Sequence, residues 1–334
     1  MHGRVFWLKP QKVAIATNPL ALARNQPASK SRPLPARFLL AGQLYPYSYR
    51  FTMLRSSRLL PVLLLGLGST AAVPADPKIT TDAIINRLSS TIENLKTLRC
   101  NVRAQERIGG VYQQARTEMK MTFKPYKVYL RNQKGVEVLY VTGQNNGDAW
   151  VYPNSFPYVT LSLDPEGSIM RKSQHHSALE AGYGTIAEML DGSDQRLTPG
   201  FEKTFRYTAD TIVQGRAAYV LRSVYPQFRY VSYKPTKAES TRAIAEKFGC
   251  GEYRILERND LSPGTVVPAG KMLQVPNAYG RRVLLCVDQK LFLPLVVQVH
   301  DDKGLFEKFE FNDVVANQPI PAPEFAKGFK GYKL

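Results

Sequence analysis

The sequence predicts an α+β protein. Its main part is a curved antiparallel β-sheet, closed about halfway to a barrel, with helices packed on it. A small βααβ module is inserted into that sheet. Three observations carry this prediction. After residue 100 apolar and polar residues alternate with period two over most of the chain, the pattern of antiparallel strands. Helical spacing returns only in short stretches. Two of those lie within residues 238–280, a stretch with its own caps, two helices and a closing strand, while strands flank it on both sides.

The expected organisation follows. Residues 1–52 are an N-terminal extension, 53–75 a signal peptide and 76–232 the first part of the β domain. Residues 233–279 are the inserted module, and 280–334 the last strands and tail. The chain has 334 residues, 44% of them hydrophobic and 10% aromatic, which is enough apolar material for a packed core. Its formal charge of +18 points to nucleic acid or an anionic membrane, but the distribution argues against both. Residues 1–75 hold ten of the 45 Lys and Arg and none of the 27 Asp and Glu. The rest carries 35 basic against 27 acidic groups, a net of +8, with no zinc finger, basic helix or aromatic platform. No nucleic-acid partner is expected.

The N-terminal skew has a simple source. Residues 1–52 show no helical or strand period. From Met53, Arg55 and Arg58 form a positive start, and Leu59 to Leu67 form an apolar run too short to span a bilayer. Val73 and Ala75 fit the small-residue cleavage rule. This is the pattern of a secretory signal cut after Ala75, with Met53 as the true start, so an exported, periplasmic product without a transmembrane segment is expected. Cys100, Cys250 and Cys286 stand at unrelated spacings and make no metal knuckle; each reads as a small buried residue.

A helix is expected over 78–99. Thr80 or Thr81 caps it, and Ile84, Ile85, Leu88, Ile92 and Leu95 fall on one face. Gly109-Gly110 is a tight-turn signal between two strands. Met119, Met121 and Phe123 alternate with polar residues, and VEVLYV is a strand. Residues 176–190 return to helical spacing through Leu179, Tyr183, Ile186 and Leu190. The strands VEVLYV, AAYVLRSV, RVLLCV and LFLPLVVQV are apolar on both faces, so the sheet is covered on both sides or curved around something. One face packs against the first helix. Met119, Met121, Tyr129, Val138 and Tyr140 are expected to line an apolar cavity there, with Met supplying an adaptable wall. The Pro-rich end, PIPAPEFAKGFKGYKL, is expected to trail over the surface.

In the inserted stretch, Ser240 is a capping residue and Glu239 favours the positive end of the helix dipole. Ile244 and Phe248 share a face. Gly249 ends the first helix in the left-handed region, and Asn259 is expected to end the second in the same way. This stretch resembles the LysM domain, a βααβ module. The resemblance rests on Ala238-Glu239-Ser240, on Ala243-Ile244-Ala245-Glu246-Lys247-Phe248-Gly249, on Glu252 to Asn259, and on Ala269-Gly270-Lys271-Met272-Leu273-Gln274-Val275-Pro276. Ala238 stands where that family has Gly, and Lys271 where it has Gln. The resemblance implies binding to peptidoglycan or another GlcNAc-containing glycan. Glu239, Ser240 and Thr241 would come from one loop, and Leu261, Ser262, Pro263, Gly264 and Thr265 from another.

The remainder resembles the LolA/LolB-like periplasmic lipoprotein carriers, and more closely a family of uncharacterised exported bacterial proteins with a LolA-like core. MTFKPYKVYLRNQKGVEVLYVTGQNNGDAWVYPN, LDPEGSIMRKSQHH and LPLVVQVHDDKGLFEKFEF carry that likeness. It implies a lipid or lipoprotein partner. Catalytic signals are thin. His175-His176 and His300-Asp301-Asp302 contain metal-type ligand residues without a fixed spacing, and no nucleophile elbow, P-loop or dinucleotide fingerprint occurs. The expectation is a non-enzymatic envelope protein with no cofactor, no metal and no catalytic residue. The alternatives are a wall- or lipid-acting enzyme targeted by LysM, and a structural scaffold. What separates them is whether the concave face is apolar throughout or carries converging carboxylates and histidines.

Overall fold

A computed structural model describes residues 79–191, 196–197 and 199–334. The expected extension and signal peptide lie outside them. The first helix, α1 (Thr81–Glu93), is capped by Thr80, whose Oγ1 accepts from Ala83 N at 3.2 Å. Ile84, Leu88 and Ile92 are buried along its inner stripe. It is shorter than its apolar spacing predicts. Thr97 already opens strand β1 (Thr97–Ile108), and Leu95 is buried in the connection between them.

From β1 the chain runs through a meander: β2 (Val111–Phe123), β3 (Tyr126–Asn132), β4 (Glu137–Val141), β5 (Ala149–Tyr152) and β6 (Leu161–Leu163). The β1–β2 turn has two residues, Gly109 and Gly110, at φ 55° and 83°. A two-residue hairpin of this twist needs positive φ at both places, which glycine adopts without strain. A connection with a short helix α2 (Ser168–Arg171) and a second helix α3 (Gly184–Leu190) crosses back. The helical spacing at 176–190 is interrupted at Gly182, φ 92°, where a Cβ would come within 3.0 Å of Met121 Sδ.

Strands β7 (Arg206–Val213) and β8 (Arg216–Val224) follow. Then come β9 (Tyr230–Tyr233), β10 (Glu239–Ser240), α4 (Thr241–Phe248), α5 (Glu252–Asn259), β11 (Val266–Val267) and β12 (Leu273–Pro276). The chain ends with β13 (Arg282–Asp288), β14 (Pro294–Asp301) and β15 (Gly304–Ala316). Eleven strands form one open, curved antiparallel sheet in the order β6-β5-β4-β3-β2-β1-β15-β14-β13-β8-β7. One hydrophobic cluster runs along its inner face, from Val151 on β5 to Val220 on β8, and includes the inner stripes of α1 and α3.

The segment between β8 and β13 is a βααβ unit. Strands β9 and β12 pair antiparallel, with Pro276 opposite Tyr230. Ile244, Phe248, Ile255, Val267, Leu273 and Val275 form a separate small core. Ser240 caps α4 through Ala243 N at 3.1 Å, and Gly249 closes it at φ 61°. The left-handed residue after α5 is Asp260, φ 53°, and not Asn259. Asn259 is still helical, and its side chain is spent on β12: the amide nitrogen donates to Ile255 O and Gln274 O, and Oδ1 accepts from Gln274 N. The unit leaves and re-enters the sheet at one place, since Val224 pairs with Arg282 and Tyr225 N donates to Arg281 O at 2.8 Å.

The Pro-rich end does not trail. Phe325 is buried against Tyr129, Leu139 and Val141 on the outer face, and Tyr332 stacks on Tyr129 at 3.8 Å between centroids. Glu324 pairs with Arg99 at 2.6 Å and Lys120 at 2.9 Å. The two-sided apolar character of β3 and β4 thus has two sources, the core on one face and this tail on the other.

Candidate functional site

Strand parity sets what faces inward. On β1 the inner residues are Leu98, Cys100, Val102, Ala104 and Glu106. On β15 they include Glu307, Phe309 and Phe311, opposite Glu106, Ala104 and Val102. Glu106 and Glu307 are therefore direct cross-strand neighbours on a buried face, Glu106 7% and Glu307 1% exposed. Like charges in that position repel, so the pair needs compensation.

Histidines from the 164–183 connection supply it. Arg171 holds the connection: its guanidinium donates to Glu252 Oε2 at 2.5 Å and to His175 O at 2.9 Å. His175 N donates to Glu106 Oε1 at 2.7 Å. The His175 ring packs against both Phe306, 4.0 Å away, and Tyr253, 4.4 Å away. Its Nδ1 faces Glu307 Oε2 at 2.9 Å and its Nε2 faces Arg107 O at 3.0 Å, and only a ring protonated on both nitrogens donates to both. His176 Nε2 faces the same Glu307 Oε2 at 3.1 Å, and Tyr279 donates to Glu307 Oε1 at 2.8 Å.

The electrostatics follow from this geometry. Burial alone would push the His176 pKa down; the Glu307 carboxylate outweighs it and raises it to about 9. Burial likewise opposes ionisation of Glu307, but His176 and His175 hold its pKa well below the ordinary carboxylate value.

A cavity of about 170 Å³ opens beside this group, between the inner sheet face and the 174–189 segment. Ala104 and Ala115, opposite each other on β1 and β2, leave the space, and Met119, Leu130, Met189 and Phe311 complete its apolar walls. Glu106, His176, Glu180 and Glu307 form its polar end. The concave face is not apolar throughout: it carries converging carboxylates and a histidine, which can hold a cation or pass a proton.

Of the residues expected to line an apolar cavity, Met119 does so. Met121, Val138 and Tyr140 share its face and belong to the packed core around it. Tyr129 is corrected to the outer face. It pairs with Lys120 and Leu139, one step out of register with Met119 and Met121, and lies under the tail. The two glycan loops are brought together, with Thr241 N donating to Thr265 O at 3.1 Å. Glu239 turns toward Lys247 and Tyr233, and Thr241 is fully buried on Glu252, at 2.5 Å. Ser240 serves as a cap, Leu261 packs on the small core, Pro263 and Thr265 are half-buried, and Ser262 and Gly264 are exposed. His300 and Asp301 do not join His175. Asp301 pairs with Arg107, and His300 Nε2 lies 3.4 Å from the Gln298 amide.

Sequence reasoning set the histidines aside and did not single out Glu106 or Glu307. A signal existed: Glu307 stands in the apolar parity of Leu305, Phe309 and Phe311, where a carboxylate is out of place.

Residues 96–240 match a family described as a protein of unknown function, DUF1571. The match ends at the cap of α4 and covers less than half of the chain. No curated protein matches. Among solved structures, the chain is similar to the MucA/MucB complex of Pseudomonas aeruginosa at 14% identity and TM-score 0.35. That match covers 73% of this chain and 60% of the other, so the chain spans about three fifths of that relative. It is similar to the lipoprotein LppX of Mycobacterium tuberculosis at 9% identity and TM-score 0.36, covering 72% and 99% of the two chains. A LolA superfamily protein of Nitrosomonas europaea matches at 11% identity and TM-score 0.27, covering 75% and 98%. Among the described residues no helix is long and apolar enough to cross a membrane.

Proposed function

We propose that this is an exported cell-envelope protein that holds the apolar end of a lipid-like ligand in the concave-face cavity. The cavity carries the reading: apolar side walls, a floor kept open by Ala104 and Ala115, and a polar end of Glu106, His176 and Glu307. Its size limits the occupant. About 150 Å³ accommodates a benzene-sized group, so this cavity takes a chain terminus or a short acyl segment, with Met119 and Met189 as the walls able to yield. A fluorescent fatty acid titrated into the chain exported from Met53 tests it. Saturable binding is expected, and Ala115→Phe, which fills the floor, abolishes it without unfolding the protein. Equal binding by the variant places the ligand elsewhere. The mass of that exported product is expected to correspond to a start at Asp76.

The second component is the βααβ unit, which on its LysM resemblance binds a GlcNAc-containing glycan of the wall. The accessible edge for this is Ser262, Pro263 and Gly264 beside Ser240, with Leu261 behind it, while Glu239 and Thr241 hold the loops from inside. Sedimentation of the chain with purified peptidoglycan is expected, and is lost when residues 230–276 are replaced. Failure of the intact chain to sediment removes this component and leaves the first standing. The converging carboxylates and His176 favour one alternative, an enzyme acting on the bound ligand. Turnover of an ester of the probe, abolished by His176→Gln, would establish it.

A further inference from the structure

We infer that Glu106, His176 and Glu307 form a binding site for a first-row divalent metal ion, with its open coordination position facing the cavity. The inference is independent of which ligand the cavity takes. One ligand atom from each of the three residues lies within 4.8 Å of the other two. Metal–ligand bonds of about 2.1 Å allow ligand atoms at most about 4.2 Å apart, so the widest pair needs to close by about 0.6 Å at most, within reach of a rotamer adjustment. Two carboxylates and one imidazole are the donor set of borderline ions such as Zn2+ or Mn2+.

Three further observations point the same way. Glu106 and Glu307 are held opposite each other on a buried face, where two carboxylates repel, and their ion pairs are with His175 and His176. A divalent ion between them takes the place of the proton on His176 Nε2, which is released to solvent, and converts that repulsion into ligation. Glu307 already has the outer support typical of a ligating carboxylate: His175 Nδ1 donates to Oε2, and Tyr279 donates to Oε1. His175 is pinned by its ring stacks and by the Arg107 carbonyl, so it positions Glu307, while His176 stands at the cavity wall with Nε2 directed at the carboxylate. Finally, the Ser177 hydroxyl, beside His176 and lining the same cavity, is buried in a capping box with Glu180, where its oxygen faces the Glu180 N–H and its proton has no acceptor. An unsatisfied hydroxyl there is accounted for by a ligand or a metal-bound water within reach. Three protein ligands with one open position is the arrangement of metal sites that bind or activate a further molecule.

The test uses the exported chain, stripped with a chelator, dialysed against Zn2+ or Mn2+ and analysed for bound metal, with Co2+ as a spectroscopic probe. One ion per chain is expected, with a visible Co2+ band. Glu106→Gln and His176→Gln each lower the affinity about tenfold or more, and the second also alters the band. Tyr279→Phe weakens binding by about tenfold through Glu307. His300→Gln, outside the cluster, leaves binding unchanged. No stoichiometric metal on the wild-type chain overturns the proposal, as does full affinity and an unaltered band in both ligand variants. If the ligand variants fail to fold, X-ray absorption of the Co2+-loaded wild type decides. A shell of oxygens with one imidazole supports the site, and a shell without imidazole overturns it.

Discussion

Glu307 concentrates the chemistry of the molecule in one carboxylate. Its two oxygens take hydrogen bonds from His175, His176 and Tyr279 in a nearly water-free position. Glu307→Gln leaves the shape and removes the charge that those donors face. Breaking a buried charged group of this kind costs about 3 kcal/mol or more, so a clear fall in the denaturant midpoint is expected. A neutral effect in chelator-treated protein would mean that the histidines do not depend on the carboxylate. Asn259 is a second single residue with an outsized structural role. It joins α5 to β12 through three hydrogen bonds that no apolar residue replaces. Asn259→Ala is expected to destabilise the βααβ unit by about 2 kcal/mol. The readout is faster amide exchange in 241–276, with the sheet core unaffected.

At the scale of elements, the C-terminal tail acts as a strap over the outer face of β2, β3 and β4. Its polar anchor is Glu324, whose hydrogen bond to Arg99, reinforced by Lys120, lowers its pKa from 4.5 to about 2 against the opposing effect of burial. The sign follows from that depression. The contribution is in force above about pH 4.5 and is lost as the pH falls toward 2. Protease cleavage within residues 322–334 should therefore rise through this window before the sheet unfolds. Unchanged cleavage down to pH 2 would show that Phe325 and the Tyr332–Tyr129 stack hold the tail alone. The segment 164–183 is the other decisive element. Its backbone is fixed from two sides, by Arg171, which is itself held by Glu252 on α5, and by Glu106 on β1, and this brings two neighbouring histidines onto one carboxylate.

For the whole molecule, the βααβ unit is lodged in the sheet without interrupting it, because β8 and β13 pair up to the residue where the chain departs. Arg229 and Asn277, bonded to each other at 2.9 and 3.0 Å, mark the neck. Replacing 230–276 by a short Gly/Ser link should therefore leave a folded sheet that still holds Tyr279. The unit also caps the histidine end of the sheet. Tyr253 stacks on His175, Arg254 lies 3.7 Å over Phe306, and Glu252 pairs with Arg171. The shortened protein is thus expected to melt at a lower temperature and to expose His175. A protein that cannot fold at all would show that the unit is part of the core.

Local physical chemistry written in the chain determined much of this. The cap at Thr80, the Gly109-Gly110 hairpin, the stripe Ile84, Leu88 and Ile92, the βααβ succession after Ser240 and the two-faced apolar strands are all legible, because each depends on neighbours a few residues away. Tyr129 was misplaced by one step of strand parity, and nothing near it in sequence names Tyr332 as its cover. Register between strands and the docking of the tail are long-range choices. The candidate site belongs to the same class: Glu106, His175-His176, Tyr279 and Glu307 lie on four segments up to 201 positions apart. A carboxylate in an apolar register signals that something must neutralise it, but only the tertiary structure decides what, because the partners come from distant segments brought together by packing.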